Sequence, residues 1–168
     1  GQSLRRHQTR IMIGGEHVIL RFIRTRVGTS SGQTMDGMGI TGSLGPNIYD
    51  HCSISWTIDE AFSSRGTGEA NFTVQRTLIS EALNEAGHKN YPEGTQHGYA
   101  ASIGGDSGSF HHNLLAHCSG RNWSLAGGLG KSPVEFAGRL DIRNNVVYNW
   151  KNRTTDGGAH QVNFVNNY

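Results

Sequence analysis

The sequence predicts an all-β parallel solenoid of about six coils, and three observations carry that expectation. Six short segments share one pattern: alternating apolar residues, then a small or amide residue, then more apolar residues. Aligning them brings an asparagine into register in the last three. Glycine supplies 24 of the 168 residues and proline only 3, a composition suited to many turns between short strands. With 35% hydrophobic and 17% charged residues, the chain has the make-up of neither a helical bundle nor a disordered segment, and its length suits one domain.

In chain order the segments are HVILRFIR from His17, NIYDHCSIS from Asn47, FTVQRTLIS from Phe72, SFHHNLLAH from Ser109, LDIRNNVVYNW from Leu140 and VNFVNNY from Val162. Their shared column holds Ile23, Cys52, Thr77, Asn113, Asn145 and Asn167, at spacings of 29, 25, 36, 32 and 22. The strands are alike and the insertions differ. A solenoid accommodates that, because each coil touches only its neighbours. An inward amide at a bend both donates and accepts, so stacked asparagines satisfy turn backbone that burial would leave unpaired. A β-sandwich is the structural competitor, since strands recur at such spacings there too.

Solenoid ends expose unpaired edges that need covering. GQSLRRHQTR is expected to form an irregular cap at the first end. The second is expected to continue into a missing portion or to meet another copy of the chain as a homo-oligomer. The chain therefore reads as a single domain, 1–168, truncated at one or both ends.

A formal charge of +2 with scattered basic residues lacks the footprint of a nucleic-acid binder, and no run of 18 apolar residues suggests a membrane span. Cys52 and Cys118 lack the Cys-x-x-Cys spacing of a zinc or redox site. Histidines crowd the middle of the chain. Zinc is not expected of them, because the adjacent His111 and His112 should point to opposite faces of a strand and no His-Glu-x-x-His pattern exists.

The segments YDHCSISWTIDEAF, HKNYPEGTQHGYAASIGG and SFHHNLLAHCSGRNWSLAGG resemble the pectate lyase family, from about Val18 to the end of the chain. The resemblance implies a right-handed, single-stranded parallel β-helix, a substrate groove along one sheet, and calcium-dependent cleavage of polygalacturonate or a related acidic polysaccharide. It also implies a secreted or periplasmic protein. Carried over by position, Arg121 falls on the family's catalytic base. Asp36 and Asp59 fall near its calcium carboxylates, with Glu60 as a substitute ligand. Lys89 lies where a substrate-binding lysine is usual. The chain departs from the pattern at Met38 and Ser63, where further acidic ligands are expected, and at Ala126, where a second arginine is expected. Trp123 replaces a proline and is expected to stack on a sugar face. His97, next to Gly98, is expected to border the same groove and contact substrate.

β-Elimination at a 4-linked uronate removes the proton on C5 and expels O4. That proton is weakly acidic until the neighbouring carboxylate is neutralised, a task suited to a hard cation such as Ca²⁺. A free guanidinium has a pKa above about 12, so an arginine base needs surroundings that lower it, and an alkaline optimum is expected. A glycoside hydrolase is the rival reading; it needs two positioned carboxyl groups, and Asp59 and Glu60, the only close pair, would alternate faces on a strand. A non-catalytic carbohydrate-binding solenoid is the third.

Overall fold

The computed structural model describes residues 10–42, 45–64, 71–126 and 138–168. The first coil contains β1 (Ile11–Ile13), β2 (Val18–Arg21) and β3 (Arg24–Arg26). The second has β4 (Met38–Ile40), β5 (Asn47–Asp50) and β6 (Ser53–Ser55). The third has β7 (Phe62–Ser64), β8 (Phe72–Gln75) and β9 (Leu78–Ser80). The fourth has β10 (Ala101–Ile103), β11 (Ser107–His111) and β12 (Leu114–Ala116). The fifth has β13 (Ser124–Ala126), β14 (Arg139–Arg143) and β15 (Val146–Tyr148), and the sixth has β16 (Asp156–Gly158) and β17 (Gln161–Val165).

Equivalent strands of successive coils pair in parallel and build three sheets, begun by β1, β2 and β3 respectively. This is the right-handed parallel β-helix, at the expected number of coils. Pairing of each strand with its counterpart one coil away excludes the sandwich. The expected N-terminal cap falls, apart from Arg10, outside the described residues. Cys52 and Cys118 are buried free thiols.

Inward positions of the second sheet form a continuous column in which Leu20, Tyr49, Val74, Phe110, Ile142 and Phe164 follow one another in register. Tyr49, Val74, Phe110 and Ile142 within it are buried. Gly108 leaves space that this core needs, since a Cβ there would come within 2.8 Å of the Phe72 ring. The turn from second to third sheet holds two residues in each of the first five coils, and Asn166 and Asn167 take the same places after β17. Its first residue is left-handed at Phe22, His51, Arg76, His112, Asn144 and Asn166, and its second is the aligned column. There the side chains link the coils: Thr77 Oγ1 accepts from the Cys52 N–H, Asn113 Oδ1 from that of Thr77, Asn145 Oδ1 from that of Asn113, and Asn167 Oδ1 from that of Asn145. The left-handed turn also corrects one expectation. His112 has φ 57°, so its ring swings to the side of His111 and the two Nδ1 atoms lie 2.9 Å apart.

On the outer face of the second sheet, the buried Asp50 carboxylate accepts from Arg21 Nε at 2.6 Å and Gln75 Nε2 at 2.9 Å, with His51 Nδ1 at 2.8 Å. Burial pushes its pKa up, but the hydrogen bonds from Gln75, Arg21 and His51 together hold it below the usual carboxylate range. The stabilisation is therefore fully present above the unfolded pKa of about 4 and is lost as pH falls through the lower folded value. Urea unfolding of wild type and Asp50→Asn is expected to differ by about 1–2 kcal/mol at neutral pH and to converge as pH drops well below about 4. A gap that persists undiminished in acid would contradict the ion-pair account.

Candidate active site

The two-residue turns are uniform, whereas the connections from the third sheet back to the first vary, the longest running from 81 to 100. These connections deliver the chemistry-bearing side chains to the outer face of the first sheet. Asp36 arrives just ahead of β4, Asp59 and Glu60 just ahead of β7, Tyr99 ahead of β10, Arg121 ahead of β13 and Arg153 ahead of β16. Asp59 and Glu60 sit on a bend rather than a strand, so they do not alternate faces. Ligand oxygens of Asp36, Asp59 and Glu60 all lie within 4.8 Å of one another.

Glu60 is 1% exposed. Its Oε1 accepts from Arg121 Nη1 and, at 2.7 Å, from Ser102 Oγ, which projects from the outer face of β10. The Arg121 guanidinium lies over the Tyr99 ring, 4.3 Å from its centroid, an arrangement that fixes its plane. Burial lowers the Arg121 pKa and so does the positive charge of Arg153, while Asp59, Asp156 and Asp36 act the other way; the net direction is down. For Asp59, burial pushes the carboxyl up, but the hydrogen bond and charge of His97, with the charge and contact of His88, bring it below the ordinary range.

The chain has curated relatives. Over 137 residues, 80% of the chain and 27% of the relative, it is 34% identical to probable pectate lyase C of Emericella nidulans. Probable pectate lyase C of Neosartorya fischeri is 31% identical over 160 residues, 91% of the chain and 32% of the relative. Over most of its own length the chain is thus similar to pectate lyases. It spans between 27% and 32% of the length of these curated relatives. No family model matches it.

Against the pectate lyase pattern, the structure draws Arg121, Asp36, Asp59 and Glu60 together and leaves others apart. Trp123 is 1% exposed and packs in the core with its ring 5.3 Å from that of Phe110. An indole on the inward side of the first sheet has no face for a sugar, which corrects the stacking expectation. His97 is 5% exposed, and its Nε2 lies 2.9 Å from Asp59 Oδ1, so burial directs it to a carboxylate rather than to substrate. Lys89 is exposed on the 81–100 connection, where its backbone N–H donates to Thr34 Oγ1 at 2.9 Å.

The residue that sequence reading missed is Arg153. Its guanidinium is 5.3 Å from the Tyr99 centroid, on the ring that also carries Arg121, and its Nε is 2.9 Å from Asp156 Oδ2. A second arginine therefore stands beside the first, supplied by the next coil and not by position 126. Ser124 pairs with Asp156, and each arginine lies three residues ahead of its paired strand residue. Aligning the first-sheet strands would have revealed it.

The cation that the pectate lyase resemblance implies meets a suitable donor set here. Three carboxylates converge with oxygen donors only, and Ser63 Oγ, on the outer face of β7, is buried without a hydrogen-bond partner. Oxygen-rich, anionic and partly buried groups fit a hard divalent ion such as Ca²⁺. Ser63 stands where the family pattern has an acidic residue, and a hydroxyl is a weaker substitute for it.

Proposed function

We propose that this part of a pectate lyase carries the catalytic site and cleaves (1→4)-α-D-galacturonan by β-elimination, with Arg121 as the base. The observation supporting this reading most directly is the convergence of a half-buried arginine of lowered pKa with three carboxylates. In its neutral form Arg121 takes the proton from C5 of the uronate; the C–H electrons form the C4–C5 double bond, and O4 leaves with its bonding pair and is protonated from water. Tyr99 orients the guanidinium plane. Arg153, one coil further along, supplies a positive charge that disfavours protonation of Arg121 and attracts the polyanion.

Asp36, Asp59 and Glu60 are the residues that would hold Ca²⁺, which when bound supplies neutralisation of the substrate carboxylate and so acidifies C5–H. Glu60 joins the two halves of the site, because any share of its oxygens given to a cation loosens its hold on Arg121. A hydrolase reading is disfavoured: one of its two carboxyl groups must be protonated, whereas Asp59 is shifted down and Glu60 is ion-paired with Arg121. A polymeric pectate substrate accords with a protein acting outside the cytoplasm. Digestion of polygalacturonate tests the proposal. Unsaturated products that cease on chelation and return with added Ca²⁺ are expected; saturated products, or an undiminished rate in chelator, would contradict it.

A further inference from the structure

We infer that His88 and His97 are positioning residues that clamp Asp59 in the orientation in which it takes a divalent cation, an inference that rests on the cation reading given above. Three carboxylates gathered within 4.8 Å repel one another, and an unrestrained aspartate would rotate away from the other two. Asp59 is restrained on both oxygens. His97 Nε2 is 2.9 Å from Oδ1, and His88 Nε2 is 3.4 Å from Oδ2. The second contact lacks hydrogen-bond alignment, which leaves a buried imidazole nitrogen aimed at Asp59. Each oxygen keeps lone pairs for a cation while its position is set by a ring.

The tautomer of His88 separates a clamp from a metal ligand. The Asn90 backbone N–H donates to His88 Nδ1 at 3.2 Å, so in the neutral ring Nδ1 carries the lone pair and Nε2 carries the proton. A protonated Nε2 is a donor to a carboxylate. A transition-metal ligand needs the reverse, with a bare Nε2 and an Nδ1–H that finds an acceptor. The His88 imidazole is thus built to serve Asp59 and not to bind a metal itself.

The rings are themselves held. His97 stacks on Tyr91 at 4.9 Å with an interplanar angle of 29°, and packs on Tyr99 and His88 with centroids 4.4 Å away. Its backbone N–H donates to Asn84 O at 2.7 Å, and that of Gly98 to Asn84 Oδ1 at 3.2 Å. A Cβ on Gly98 would lie 2.9 Å from Ala82 O, so this approach of the chain requires glycine. The same connection is tied to the segment ahead of Asp36 through the Lys89 N–H to Thr34 bond. The 81–100 connection therefore braces both carboxylate-bearing segments.

Ca²⁺ affinity measured by calorimetry tests the clamp without any turnover assay. His97→Leu is expected to weaken Ca²⁺ binding by about tenfold or more, as loss of an outer partner of a ligand does, and His97→Gln, whose amide N–H can replace the imidazole donor, to recover most of it. If His97→Leu does not fold by urea denaturation, His97→Asn, too short to reach Asp59, takes its place. Asp36→Ala is the control for the cation reading. Weakening by Asp36→Ala together with wild-type affinity in His97→Leu would overturn the clamp alone; no Ca²⁺ binding by wild type, or none lost in Asp36→Ala, would overturn the cation reading and the clamp with it. Stoichiometric Zn²⁺ binding abolished by His97→Leu would overturn the clamp in favour of imidazole ligation.

Discussion

Replacing Arg121 with lysine is expected to lower the turnover of polygalacturonate by about 10³-fold with little loss of stability. Lysine keeps a positive charge beside the buried Glu60 carboxylate, so the lost rate cannot be ascribed to an orphaned anion. What it removes is the planar group stacked on Tyr99, which in the proposed mechanism presents a guanidinium nitrogen to the C5 proton. Arg121→Ala is expected to be as inactive and, in addition, to cost about 3 kcal/mol, because Glu60 then loses its counter-ion at 1% exposure. Steady-state rates at matched folded fraction check this. A lysine variant within about twofold of wild type would remove Arg121 from the chemistry.

The largest effect on stability is expected at Asn145. Its side chain is fully buried, and it accepts from the backbone and side-chain amides of Asn113 at 3.0 Å each while donating to Phe110 O and Asn167 Oδ1 at 2.9 Å each. Alanine leaves these four groups without that partner, and each buried one carries a desolvation penalty. A loss of roughly 3–5 kcal/mol in urea unfolding is expected. Because coils interact with their neighbours, the damage should spread to the flanking coils, read as faster amide exchange in β12 and β15. A loss below about 1 kcal/mol would mean that the amide stack is incidental to the fold.

The coil architecture was legible because its determinants are local and repeated. The column from Ile23 to Asn167 names the inward turn residue of each coil, and the hydrogen bonds run along it at the spacings read from the sequence. The site was legible only in part, for reasons that differ residue by residue. Asp59 and Glu60 would alternate only on a strand; the bend ahead of β7 puts them on one side. Trp123 was assigned outward by its place after Arg121, but two residues along a chain entering a strand suffice to turn a side chain from groove to core. Arg153 and Tyr99 join Arg121 through register between coils, which no local motif encodes. The roles of His88 and His97 depend on the long 81–100 connection folding back over Asp59, a contact set by tertiary packing alone.

Elimination and hydrolysis of the polymer leave different chain ends. The most direct measurement counts unsaturated ends, from absorbance near about 235 nm, against new reducing ends during digestion of polygalacturonate with Ca²⁺. One unsaturated end for each bond cleaved is the expected result. New reducing ends without that absorbance would show that the bonds are hydrolysed, and would contradict it.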